Sequence, residues 1–291
     1  MKIGALLETK EPIFSFEFFP PKNPKEEARL FQTIAELRPL KPAFVSMTYG
    51  AGGSGGRSVE WVRRIQNQVG LTAMAHLTCG GNTKDALEST LLSLEKSGVQ
   101  NIMAVRGDPP QDAPQFQAVA GGFRYASELV AFIRERFGDI FSVAGGGYPE
   151  GHIENPSLES DLRYLKAKVD AGLDFIVTNL FFNNALYFGF VERARKIGIQ
   201  VPILPGLMPI TNLGQIRRFM DLCGASIPGP LLSRLEQAKD PQSLLEIGVE
   251  HTTRQAAELL EAGVPGIHFY TLNKSPATRM VMLNLAQVSR M

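Results

Sequence analysis

The chain has 291 residues, 44% hydrophobic and 20% charged, the make-up of a globular protein with a large core rather than a disordered one. Lys and Arg number 30 against 29 Asp and Glu, so no strong field favours nucleic acid or an anionic membrane as partner. Two cysteines, Cys79 and Cys223, make no disulfide framework, and neither a signal peptide nor a run of roughly 20 apolar residues is present, so a cytoplasmic protein is expected.

The first strand is read at 14–18, inside IFSFEFFPP, and it sets Glu17 among four phenylalanines. Side chains alternate along a strand, so Phe14, Phe16 and Phe18 share one face while Ser15 and Glu17 share the other. If the phenylalanines pack outward under helices, Glu17 points inward. Its apolar surroundings then raise its pKa, which suits a general acid. The alternative is a structural carboxylate neutralised by an interior Arg or Lys.

A helix carrying Leu30, Phe31, Ile34 and Leu37 leads to a strand at 44–48. GAGGSG (50–55) follows and matches G-x-G-x-x-G. The dinucleotide fingerprint also requires an acidic residue about 20 positions on, at the end of the next strand. That strand, TAMAHLT, has none, so 50–55 is read as a rim loop. Strands at 72–77 and 101–105 flank a helix with Leu87, Leu91 and Leu94. The loop 106–123, rich in Pro, Gly and Gln, suits a lid or ligand wall. After a strand at 141–145, GGGYPEGHIENPS leads into a helix with Asp161 and Lys168 on one face. A glycine-rich turn with His152 and Lys168 suits a phosphate-bearing cofactor; a solvated loop capped by Ser157 is the alternative.

Strands at 175–179, 202–206 and 267–270 complete a set of eight. The helices between them close on glycines such as Gly98, Gly172, Gly198 and Gly263. The gap 207–266 is too long for one helix and is expected to hold an inserted one. Eight strand–helix units define a single (β/α)8 TIM barrel spanning 1–291 as one domain. In that fold chemistry sits at the strand C-termini, which here offer Glu17, Thr48, Tyr49, His76, Arg106, Asp108, Tyr148, Asn179, Met208, Tyr270 and Lys274. The four histidines form no metal signature, and no metal is expected.

FSFEFFPPK, FVSMTYGAGG, AHLTC, AVRGDPP, YPEGH and HFYTLNK occur in the order found in bacterial methylenetetrahydrofolate reductases, and the chain resembles that family from about residue 12 to 285. The resemblance implies a flavoprotein with FAD at the strand C-termini. NADH or NADPH serves as co-substrate, and hydride passes by a ping-pong scheme to 5,10-methylenetetrahydrofolate, giving 5-methyltetrahydrofolate. It further implies a homo-oligomer acting on small molecules, with no nucleic-acid or membrane partner.

By position, Glu17 matches the family's general acid, and Asp108 a carboxylate near the flavin and pterin. Thr48, Tyr49, Ala51, His76, Arg106, Gly107, Asp108, Tyr125, Ala126, Tyr148, His152, Asp161 and Lys168 match cofactor-binding positions. Asn179, Gln215, Phe219 and Lys274, together with Glu17 and Asp108, match substrate-binding ones. The chain departs from the family at Asn179, where glutamine is usual, and at Lys274, which replaces an arginine. Tyr164 and Ala167 replace polar or basic residues, which weakens the case for FAD and admits FMN. No second domain of the kind that S-adenosylmethionine regulates in longer eukaryotic relatives is expected. The residues by themselves also admit a non-flavin (β/α)8 enzyme of aldolase or isomerase type, or a subunit of an electron-transfer complex.

Overall fold

Short apolar strands separated by amphipathic helices can bury both faces only by lying side by side beneath a helical coat. The computed structural model describes residues 1–9, 11–49, 55–108, 116–155 and 157–288. Its strands are β1 (Ile13–Phe18), β2 (Phe44–Met47), β3 (Ala73–Thr78), β4 (Asn101–Val105), β5 (Ser142–Gly147), β6 (Phe175–Leu180), β7 (Ile203–Leu207) and β8 (Gly266–Tyr270). They close in sequence order, all parallel, with β8 paired to β1. The helices are α1 (Ile3–Leu6), α2 (Pro24–Leu37), α3 (Gly55–Arg64), α4 (Lys84–Lys96), α5 (Ala126–Phe137), α6 (Leu158–Asp170), α7 (Asn184–Lys196), α8 (Leu213–Cys223), α9 (Gly229–Glu236), α10 (Pro241–Glu261) and α11 (Pro276–Val288). This is the (β/α)8 barrel the pattern implies.

The alternation in β1 is realised. Phe16 and Phe18 are buried against the helical coat with Leu30, Ile34 and Leu37 of α2. A second apolar cluster forms the barrel floor, where Phe44, Met74, Met103, Phe175 and Leu204 meet Ile3 and Leu7. The short α1 is thus a plug, which the pattern did not announce. Asn101 fixes it, accepting from Ile3 N at 2.8 Å and donating to Met1 O at 3.0 Å. The helix-ending glycines Gly98 and Gly263 are left-handed, at φ 76° and 77°.

The seventh crossover differs from expectation by holding two inserted helices, α8 and α9, ahead of α10. Gly224, at φ 72°, stops α8, and Pro228 starts α9. Among the described residues no helix is long and apolar enough to cross a membrane.

Candidate active site

Strand register brings the polar interior together. Glu17 lies opposite Ser46 of β2 and Tyr270 of β8, and Ser15 lies opposite His268. His268 is fully buried; its Nδ1 meets Ser15 Oγ at 2.8 Å and its Nε2 meets Glu17 Oε2 at 3.4 Å. Ser46 Oγ donates to the same carboxylate oxygen at 3.3 Å, and His76 Nε2 stands 3.4 Å from it.

This surround corrects the expected direction of the Glu17 pKa. Burial does push it up. The hydrogen bond from His268, the charges His76 and His268 carry when protonated, and the Ser46 hydroxyl outweigh that push and hold the carboxyl below its ordinary range. His76 itself is pushed down by burial, against the pull of Glu17. The neutralising partner is therefore imidazole, not the interior Arg or Lys considered from sequence. Ser15, Ser46 and His268 were missed as site residues. Ser15 shares the Glu17 face by alternation, but nothing in the sequence placed His268 beneath it.

Along the rim, Thr48 Oγ1 is buried without a hydrogen-bond partner among the described residues. Tyr49 donates to Asn82 Oδ1 at 2.9 Å. Gly107, at φ 86°, brings the chain against Thr78, where a Cβ would lie 3.1 Å from that side chain. Arg106 makes two bonds to Glu154, at 2.7 and 2.5 Å, and stacks over Phe116. Asp108 is exposed beside them, and its charge helps raise the buried Tyr148 phenol, which desolvation first pushes up to about 12. Tyr148 and His152 meet edge to face at 4.7 Å.

On α6, capped by Ser157 as expected, burial lowers Lys168 to about 8, with Asp161 opposing. Its Nζ donates to Gly146 O at 2.6 Å. Burial raises Asp161. The face shared by Asp161 and Lys168 is thus turned onto the glycine-rich end of β5.

The residues expected on the substrate side lie on β6, on α8 and just after β8. Asn179 Oδ1 accepts from Leu180 N at 2.9 Å, and its amide sits against the Cys223 thiol. The shortened side chain is engaged with protein. Gln215 shares a small cleft with Leu272, and Phe219, Leu272 and Tyr270 pack against one buried apolar cluster. Lys274 lines a cavity of about 570 Å³ between the starts of α10 and α11. Tyr270 joins the three groups, because desolvation and the charges of Glu17, Tyr148 and Cys223 together raise its phenol. Met208 is buried in the apolar cluster beneath α8 and offers no polar atom. Tyr125 and Ala126 open α5, where Tyr125 is exposed under the Arg124 guanidinium and Ala126 is buried. Ala51 and most of the 50–55 motif lie outside the described residues, as does much of the loop 106–123.

Polar groups with shifted protonation thus converge on one mouth at the strand C-termini, and comparison with known proteins names the lineage. The methylenetetrahydrofolate reductase family profile matches residues 2–286. The chain belongs to that family. It is 38% identical over 298 residues to methylenetetrahydrofolate reductase (NADH) 1 of Arabidopsis thaliana, covering 99% of this chain and 50% of the relative. It is 35% identical over 263 residues to 5,10-methylenetetrahydrofolate reductase of Pectobacterium carotovorum subsp. carotovorum, covering 90% and 86%. The chain thus spans about half the length of the plant member. An uncharacterized protein from Clostridium thermocellum that binds two copies of 5-methyl-5,6,7,8-tetrahydrofolic acid superposes with a TM-score of 0.72 over the full length of both chains. At 17% identity it speaks for the fold alone.

Proposed function

We propose that the chain reduces 5,10-methylenetetrahydrofolate to 5-methyltetrahydrofolate, with FAD at the strand C-termini and NADH or NADPH as hydride source. The observation that carries this reading is a largely shielded carboxylate, Glu17, its side chain 11% exposed, hydrogen-bonded to a fully buried imidazole at the C-terminal end of a barrel in a reductase family.

The residues fit a flavin nucleotide. Among the described residues Thr48 Oγ1 is buried and unpaired, Lys168 is a desolvated cation, and a Cβ on Gly146 would meet Tyr148 alone, at 3.7 Å, so the end of β5 leaves room for a ligand. Arg106, His152 and Lys168 would hold the phosphates, and Thr48 and Asp108 the polar edge of the ring. When bound, the flavin supplies the hydride exchange between the nicotinamide and the folate.

The protein's own part is proton placement. Protonating a nitrogen of the folate's five-membered ring turns it into a leaving group and opens the ring to a cationic iminium, the species that accepts hydride. Glu17 would deliver that proton from Oε2; its donors hold it ionised at rest, so it must first take the proton up, while His268 Nε2 at 3.4 Å and Ser46 Oγ at 3.3 Å keep the carboxylate in place. Tyr270 and Phe219 line the mouth and shield the reacting atoms from water. Lys274 would meet the carboxylate tail of the folate.

The test is one cuvette. Purified protein is reconstituted with FAD, reduced anaerobically with NADH, and then given methylenetetrahydrofolate. Visible bands that bleach and return establish donor and acceptor together. Bands that never return with folate refute the assigned substrate.

A further inference from the structure

The turn after β8 is bent against the preference of its own residues. Lys274 N donates to Thr271 O at 3.0 Å, closing a four-residue turn whose central residues, Leu272 and Asn273, lie at φ 53° and 57°. Two successive positive φ values mark a type I′ turn, which Gly or Asn fills readily and Leu does not. Strain of this kind persists only where the surroundings over-determine it.

Here they do. Asn273 Oδ1 accepts from Phe19 N at 2.8 Å and its Nδ2 donates to Phe19 O at 2.9 Å. Its side chain thus continues, past the end of the sheet, the pairing of β8 with β1. Thr271 Oγ1 donates to Glu17 O at 2.6 Å, and Thr33 of α2 donates to Asn273 O at 3.2 Å. The turn therefore grips the backbone at Glu17 and two residues beyond it, and it ends at Lys274. Among the described residues no carboxylate pairs with that ammonium.

We infer that Asn273 is a positioning residue: its amide locks the end of β1 to the strained turn, so that Glu17 and Lys274 are held at one fixed register toward the two ends of a single substrate. The inference rests on the function proposed above, in which Glu17 donates the proton and Lys274 meets the substrate's carboxylates.

The deciding variant is Asn273→Gly. Glycine accepts the left-handed backbone, so the turn survives while the amide is lost. Turnover of methylenetetrahydrofolate is expected to fall about tenfold or more, mainly in kcat, as misplacing a reacting group does. The melting temperature and the rate of flavin bleaching by NADH should stay close to wild type. Asn273→Asp, which keeps the acceptor for Phe19 N but not the donor, should recover part of the loss. A second readout needs neither substrate nor cofactor. With the Glu17 carboxyl carbon isotope-labelled, its NMR titration midpoint should move by about one pH unit in Asn273→Gly, as the carboxylate slips from His268 and Ser46. An active wild type with kinetics unchanged in Asn273→Gly overturns the brace and leaves the function standing. A wild type inert toward methylenetetrahydrofolate overturns the function, and the titration then decides the brace, an unmoved midpoint sinking it.

Discussion

The rim has two sides built on opposite rules. Around β8 and β1 most polar groups near Glu17 are matched to another, Ser15 to His268, Ser46 to the carboxylate and Thr271 to the Glu17 carbonyl, while His76 Nε2 stands 3.4 Å from the carboxylate without a hydrogen bond among the described residues. Around β5 and α6 Arg106 is paired with Glu154, but two partly desolvated charges lack a direct ion pair among the described residues: Lys168 donates to a carbonyl, and Asp161 is raised by its own burial. A carboxylate ringed by donors is held ionised and oriented at rest, set to take up a proton and pass it on at one atom. A buried cation kept off its carboxylate neighbours has charge to offer an anionic ligand. On the function proposed above, proton placement belongs to one side and cofactor retention to the other, and each can be disturbed separately.

The largest expected effect comes from Glu17→Gln. The amide keeps the shape and cannot donate the proton, so folate turnover should fall by about 10²–10⁴-fold, the usual contribution of a general acid. Flavin reduction by NADH should persist, and stopped-flow absorbance separates the two half-reactions. Folate turnover near wild type would remove Glu17 from the acid role.

Lys168→Met comes next and touches the other side. Losing a desolvated cation should weaken FAD binding about tenfold or more, read by quenching of flavin fluorescence on titration. The wild type carries a pH signature of the same group. Lys168 loses its charge near pH 8 instead of at its ordinary 10.5, so FAD affinity should drop as pH rises through about 8. The variant should show no such drop. The stability of the cofactor-free chain moves the opposite way. Between those two values the unfolded chain binds more protons than the folded one, so folding strengthens as pH rises.

These two sides were not equally legible in the sequence. Eight apolar runs ending in polar residues gave the barrel and its active rim, and strand alternation put Glu17 indoors with Ser15. Local spacing also paired Asp161 with Lys168 on one helix face. What stayed hidden was whatever depends on barrel closure. His268 sits 251 positions from Glu17, and only the pairing of β8 with β1 makes them neighbours. The Glu17 pKa was misjudged for that reason, since burial was visible and its compensation was not. The α1 plug and the second inserted helix were missed because short elements carry too little periodicity to register. The diversion of Asn179 to the backbone N–H of Leu180 depended on a side-chain rotamer, which no spacing encodes.

Ser15→Ala tests the buried end of the proton-holding side with a smaller change. It leaves His268 Nδ1 without its partner at 2.8 Å, in a position water does not reach. An unsatisfied buried group costs about 1–3 kcal/mol, so the melting temperature should fall. Folate turnover should fall several-fold with a displaced pH optimum, because the imidazole is freed to tilt or change tautomer. An unchanged pH profile would make Ser15 a packing residue only.

The smallest effect is the one that spans both sides. Burial lowers His76 beside Glu17 and His152 beside Tyr148, each from an ordinary 6.5. Below that value the unfolded chain takes up protons that the folded chain refuses, so stability should begin to fall as pH drops through about 6.5. Glu17 acts later. Its lowered carboxyl contributes stability in full above the ordinary 4.5, and that contribution disappears as pH falls through the folded value below it. Thermal melts from pH 8 to pH 3.5 should therefore show a shallow loss shared by the two sides, then a steeper one to which the proton-holding side contributes. His76→Gln and His152→Gln should each flatten part of the first loss, and Glu17→Gln part of the second. If His76→Gln leaves the first loss intact, His76, one of the two imidazoles 3.4 Å from the carboxylate, is already charged in the folded chain. The proton-holding side would then begin its cycle as an ion pair.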